Sequence, residues 1–195
     1  TAIARALLTS ESTINKLLYR TRLALRGVQF EIPSAEVLPA ARDIVHTALY
    51  LLFNEGHLST TDKPILRELC HDAMVLTQLL ADDGSIATSD TLALLGLMCF
   101  NAARLESRLD QDGRLVPLDG QDRSRWDRAL IRQGYQCLVR SSQLDESAAS
   151  RFHLEAAIAA RHCSASSFGE TDWVSICHLY DRLLGMGIKP FVELG

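Results

Sequence analysis

The sequence predicts an all-α fold: a partial helix-turn-helix followed by a helical bundle or tetratricopeptide-like array, with one small β-hairpin. Three observations carry this. Leu and Ala crowd a chain of which only 6% is aromatic, a balance that favours helices over sheets. Apolar residues recur at i, i+3, i+4 and i+7 along most of the 195 residues. Pro (5) and Gly (11) are scarce, which leaves little room for long irregular stretches.

Residues 1–8 (TAIARALL) read as a short helix, and Thr9-Ser10 as a turn and cap. Residues 11–26 form a second helix, with Ile14, Leu17, Leu18, Thr21 and Leu25 on one face. Gly27 is placed as its C-terminal cap, and residues 27–35 as a linker. Helices then follow at about 36–54, 63–81, 88–108, 122–141, 148–163 and 171–185. The second of these carries Leu66, Leu69, Cys70, Ala73, Met74, Thr77 and Leu80 as one stripe, and the third (LALLGLMCF) is apolar nearly all round, as a central buried helix must be. Asp112-Gly113, between Leu109 and Leu115-Val116, signals the small hairpin. Asp122 and Ser124 are cap candidates for the helix containing Trp126. Near the end, Trp173, Ile176, Cys177 and Tyr180 stand at the offsets that open a tetratricopeptide repeat; such a stripe is also what simple core packing produces.

The net charge of −4 argues against a protein that coats nucleic acid over its whole surface. The charge is unevenly spread. Arg5, Lys16, Arg20, Arg22 and Arg26 stand against Glu11 alone in the first 30 residues, so nucleic-acid contact is expected only there. The five cysteines (70, 99, 137, 163 and 177) form no CxxC pair, and most sit at apolar helical positions, which suggests buried free thiols in a reducing compartment. The longest nearly apolar run, Thr91–Phe100, is about half of the ~20 residues a membrane span needs. No signal peptide is visible, and a cytoplasmic location is expected. The chain opens at Thr1 inside a helical pattern, as a fragment would.

A short helix, a turn and a helix with one apolar and one polar-basic face fit a helix-turn-helix, whose exposed face enters the major groove. Asn and Arg or Lys there meet base edges, while Ser, Thr and other basic groups hold phosphates. On this reading Asn15, Lys16 and Arg20 lead, with Ser12, Thr13, Tyr19 and Arg22 behind them. The same pattern also suits a solvated amphipathic helix with surplus charge. Asn54-Glu55-Gly56 reads either as a helix stop or as a polar contact point. Asp122, Arg123 and Arg125 read either as a cap with a surface network or as a protein contact. Catalysis finds no nucleophile motif and no glycine-rich phosphate loop. No cofactor is expected. The Cys-His neighbours (70-71, 162-163, 177-178) point about 100° apart on a helix, so no metal site is expected from them. Asp110-x-Asp112-Gly113 lacks the remaining ligands of a calcium loop.

The segment IARALLTSESTINKLLYRTRLALRG resembles the end of region 4 in bacterial sigma factors of the extracytoplasmic-function type. Ile3-Ala4, Leu7, Ser10-Glu11, Thr13-Ile14, Leu17-Leu18 and Arg20-x-Arg22 carry the likeness. VHTALYLLFNEGHLST (45–60), DQDGRLVPLDGQDRSRWDRALIRQG (110–134) and LEAAIAARHCSASSFGETDWVSICHLYDRLL (154–184) are similar to signature stretches of a subgroup with a long tetratricopeptide-like C-terminal extension. The resemblance implies transcription initiation, with contact to the −35 promoter element by the helix-turn-helix and regulation through the extension. It implies promoter DNA, core RNA polymerase and the sigma factor's own further regions as partners. The first part of region 4 and all of region 2 are absent from the sequence, and KPFVELG stops where that subgroup would run on into further repeats. This stretch alone is not expected to start transcription. The domain reading is a region 4 remnant at 1–26, a linker at 27–35 and a helical extension at 36–195. The rival reading is a helical-repeat interaction module that binds no DNA.

Overall fold

The computed structural model describes residues 4, 9–29, 31, 33–58, 65–144 and 149–187. Among them lie seven α-helices, three short 3-10 turns and no strand. We number the helices α1 (Glu11–Ala24), α2 (Leu38–His57), α3 (Arg67–Asp82), α4 (Ser89–Ala102), α5 (Arg128–Leu144), α6 (Arg151–Ser164) and α7 (Trp173–Gly185). The all-α expectation holds. The short helix expected over 1–8 lies outside the described residues except Ala4, which is helical and buried.

α4 is the axis of the body. Its residues Thr91 to Phe100 are all buried, because LALLGLMCF offers no polar face to turn outward. A reciprocal cap starts it: the Thr88 hydroxyl accepts the Thr91 N–H (3.2 Å), and the Thr91 hydroxyl accepts the Thr88 N–H (3.3 Å). α3, α5 and α6 pack around α4, α2 touches it as well as α3, and α7 closes on α6. The core joins Leu49, Phe53, Leu94, Met98, Phe100, Trp126, Ile131 and Ala159 in one cluster. α1 shares no comparable interface with any of these helices.

Two glycines set how closely the helices approach. A Cβ on Gly56 would lie 2.7 Å from the Cys70 amide nitrogen, and one on Gly134 would lie 2.8 Å from the Phe100 ring. Gly56 therefore sits inside α2 as a contact point with α3, rather than beyond the helix as a stop. Gly27, with φ of 77°, does take the left-handed conformation expected after α1.

The segment 103–127 departs most from expectation. α4 ends at Ala102 instead of near 108, and α5 begins at Arg128 instead of near 122. The real cap of α5 is Asp127, whose carboxylate accepts the Ala129 and Leu130 N–H groups (2.8 and 3.1 Å). Asp122 caps only a 3-10 turn at Arg123–Arg125, accepting the Ser124 N–H (2.9 Å). The expected hairpin reduces to one antiparallel bridge, Leu109 to Leu115. The Asp110 carboxylate takes up the Asp112 and Arg114 N–H groups (2.9 and 2.8 Å), and Pro117 has no N–H to extend a ladder. The turn forms; strands do not.

Candidate nucleic-acid interface and buried arginine core

α1 begins where Ser10 caps it, its hydroxyl accepting the Thr13 N–H at 3.2 Å. Glu11 in the first turn and Arg22 in the last complement the helix dipole. Ser12, Thr13, Asn15, Lys16, Tyr19, Arg20 and Arg22 are all exposed. Lys16 and Arg20 stand one turn apart, roughly 6 Å along the axis. Among the described residues no ion pair holds Lys16, Arg20 or Arg22. The apolar face is less covered than its spacing suggests. Ile14 is 2% exposed, whereas Leu17 is 54% and Leu25 45% exposed.

The second assembly lies in the body. Arg104 and Arg123 lie over Trp126, whose indole N–H donates to the Ser107 hydroxyl (2.8 Å), and Arg108 lies close to Arg104. The Arg123 guanidinium lies 4.6 Å from the centre of the Trp126 ring, and Arg104 lies 5.5 Å from it. Arg123 donates to the carbonyls of His162 (2.6 Å) and Ala165 (2.8 Å) and to the Thr171 hydroxyl (3.3 Å). Arg104 donates to the Gln121 side-chain oxygen (3.4 Å), and Arg108 to His57 Nε2 (2.8 Å). Among the described residues no carboxylate pairs with these three arginines.

Burial without an acid partner fixes the local protonation. Burial, reinforced by Arg104 and Arg123, lowers the His162 pKa to about 4. Burial, with Arg108 and Arg104 nearby, holds His57 well below its usual range. Arg108 itself is brought down to about 10 by burial and by Arg104. Both imidazoles are therefore neutral near pH 7, which lets His57 accept from Arg108.

A family model described as a family of unknown function (DUF6596) matches residues 42–142. The chain belongs to this family. The shared span runs from α2 to the last turns of α5, and so includes the arginine–tryptophan core but not α1. An uncharacterized protein of Rhizobium meliloti (strain 1021) is 32% identical over 196 residues. That alignment covers 98% of this chain and 45% of the relative, so the chain spans less than half of the relative's length. No solved structure matches the chain.

Within the family span, the residues singled out as contact candidates separate. Asp122 and Arg125 stay on the surface. Arg123 turns inward and is only 9% exposed. Asn54 and Glu55 are half-buried, and the Asn54 side chain hydrogen-bonds Tyr50. Tyr50 also accepts from Arg151 (2.7 Å), which pairs with Glu155, so this network ties α2 to α6. Sequence patterns gave no hint of Arg104, Arg108, His57 and His162 as a group, because the four come from distant stretches. A visible clue was the pair Arg104 and Arg108, one turn apart straight after the most apolar helix of the family span.

Two smaller features complete the surface. A cleft of about 360 Å³ opens between α3 and α5, lined by Gln78, Arg132, Gln133, Gln136, Cys137 and Arg140. Cys70, Cys99, Cys137 and Cys163 are buried, and Cys177 is exposed. Among the described residues no group of three or more His, Cys, Asp or Glu is placed to hold a metal ion, and no helix is long and apolar enough to cross a membrane.

Proposed function

We propose that this chain is part of a bacterial extracytoplasmic-function sigma factor, in which α1 lies against the −35 promoter element and the α2–α7 body regulates transcription initiation through protein contacts. One observation supports it most: the seven candidate contact residues between Ser12 and Arg22 are all exposed on one capped helix while its Ile14 is buried. Lys16 and Arg20 bind phosphates or guanine edges, and Asn15 reads a base edge. The tetratricopeptide-like character of the body belongs to the same reading, with Trp173 and Ile176 opening a repeat on α7.

The test is binding of the chain to duplexes with and without a −35 element across a salt series. Each lost phosphate contact lowers the slope of log affinity on log salt by about 0.9. Lys16→Ala with Arg20→Ala is thus expected to flatten that slope by nearly two contacts and to reduce preference for the promoter duplex. Equal binding to both duplexes, unchanged in the double variant, overturns the assignment.

The rival reading, an interaction module without DNA contact, draws on the apolar residues left outside. Val75, Leu76 and Leu79 form an exposed stripe on α3, and Val174 and Leu184 lie exposed on α7. Retention of core RNA polymerase by residues 36–195 separates the two roles of the body: capture supports a polymerase contact, and none favours contacts within the longer protein.

A further inference from the structure

The outward faces of α3 and α5 carry opposite chemistry. On α3, Glu68, Asp72, Val75, Leu79 and Asp82 recur every third or fourth residue, so they share one line of the helix, and all five are exposed. Acids stand at both ends of that line and apolar side chains in its middle, where Val75 is 44% and Leu79 62% exposed. α5 carries Arg128, Arg132 and Arg140 and no acidic residue, in a chain whose net charge is −4. Its Arg132, Gln136, Val139 and Arg140 are exposed as well. Among the described residues no ion pair holds Asp72, Asp82, Arg132 or Arg140.

The cleft between α3 and α5 sets these faces side by side. Gln133 bonds Gln78 across it (3.1 Å), and Arg140 donates to the Ala81 carbonyl (3.4 Å). Laid on a second copy, α3 against α3 would bring acids to acids, and α5 against α5 would bring arginines to arginines. Only the crossed arrangement matches. A two-fold axis running along the cleft produces it twice, once for each copy. At 1.5 Å per residue, Asp72 and Asp82 stand about 15 Å apart and Arg132 and Arg140 about 12 Å, a difference that arginine side chains can span. The arginine stems and Val139 then cover Val75 and Leu79.

We propose that the α3–α5 face joins two copies of this chain in a reversible dimer, with α3 of each copy lying along α5 of the other. Helices of 16 and 17 residues are about 25 Å long, and side by side they offer roughly 500 Å² per copy. A total of about 1,000 Å² belongs to weak, exchanging association rather than to a permanent assembly. The charge pairs fix the register, and the apolar centre supplies most of the affinity. The dimer does not depend on the promoter reading, whose contact residues all lie on α1.

Sedimentation velocity of the full chain from about 1 to about 200 μM, the range an interface of this size calls for, tests this. A monomer–dimer equilibrium is expected, weakened severalfold by raised salt. Leu79→Glu acts twice per dimer and is expected to weaken it roughly a hundredfold. Val174→Glu, at the exposed Val174 of α7, is expected to leave it unchanged. Asp72→Lys and Arg132→Glu should each impair self-association, whereas an equimolar mixture of the two should regain it, because every crossed pair is again of opposite charge. A monomer at all concentrations of the unaltered chain overturns the proposal, and loss of core polymerase retention in Leu79→Glu would then assign the face to that partner. A dimer that Leu79→Glu leaves intact, or a mixture no tighter than its members, also overturns it.

Discussion

Arg123 holds two chain segments at once: its guanidinium satisfies the last carbonyls of α6 and the connection to α7, and its flat face covers Trp126. Replacing it with Met keeps the stem but strands the His162 and Ala165 carbonyls. The expected cost is about 1–3 kcal/mol for the buried His162 carbonyl left unpaired, with a smaller addition from the part-buried Ala165 carbonyl. Urea unfolding of Arg123→Met beside Arg125→Met measures it, and the exposed Arg125 should shift little. His162 gives this corner a pH dependence. Its folded-state pKa of about 4 lies below the ordinary 6.5, so the folded protein binds fewer protons than the unfolded chain between those values. Stability is full above about pH 6.5 and declines as pH falls towards 4, with His57 adding in the same direction. Arg104 and Arg123 face His162, and no acid among the described residues is placed to offset its charge. Thermal melts across this range should show a falling midpoint, and His162→Phe should flatten the fall. The inward turn of Arg123 was not legible in the sequence, because QDRSRWD carries the same letters whether its arginines face water or carbonyls.

At the level of elements, the glycines divide sharply by what surrounds them. Gly56→Ala forces a methyl against backbone that cannot swing aside, and Gly134→Ala drives one into the Phe100 ring. Each should lose roughly 1–3 kcal/mol or more, with Gly56 the worse of the two. Gly185→Ala, in the last turn of α7 with nothing within 4 Å, should gain up to ~1 kcal/mol from helix propensity. Thermal denaturation of the three variants orders them. The sequence marked Gly56 correctly as special but for a different reason, since a glycine at a helix end and one at a helix contact look alike in a single chain. Helix existence was readable nearly everywhere from the 3.6-residue period. The 103–127 connection was not: its bonds, such as Asp127 N–H to the Ala103 carbonyl (2.9 Å), close over long sequence separations that no local pattern encodes.

Across the whole molecule, the contrast lies between a body built around α4 and the thinly packed α1. α4 buries ten consecutive residues, whereas α1 buries only Ile14. Amide hydrogen exchange should therefore open α1 in a low-energy local event and α4 only on global unfolding, a protection gap of several orders of magnitude. Similar protection in both helices would contradict this picture. The basic start and acidic remainder were legible from charge alone, as was the polar face of α1. What charge and period could not convey was how little of the apolar face is covered, since coverage depends on partners rather than on spacing.

That thin contact bears on linkage. Among the described residues α1 has no interface with the body comparable to those among α2–α7, so the two parts are expected to melt with little mutual support. A ligand that binds only α1 should leave the melting temperature of the body nearly unmoved, however tightly it binds. A ligand gripping the body should raise that temperature without changing what α1 binds. Coupling between the two parts is read directly as any change that a ligand on one makes in the melting of the other.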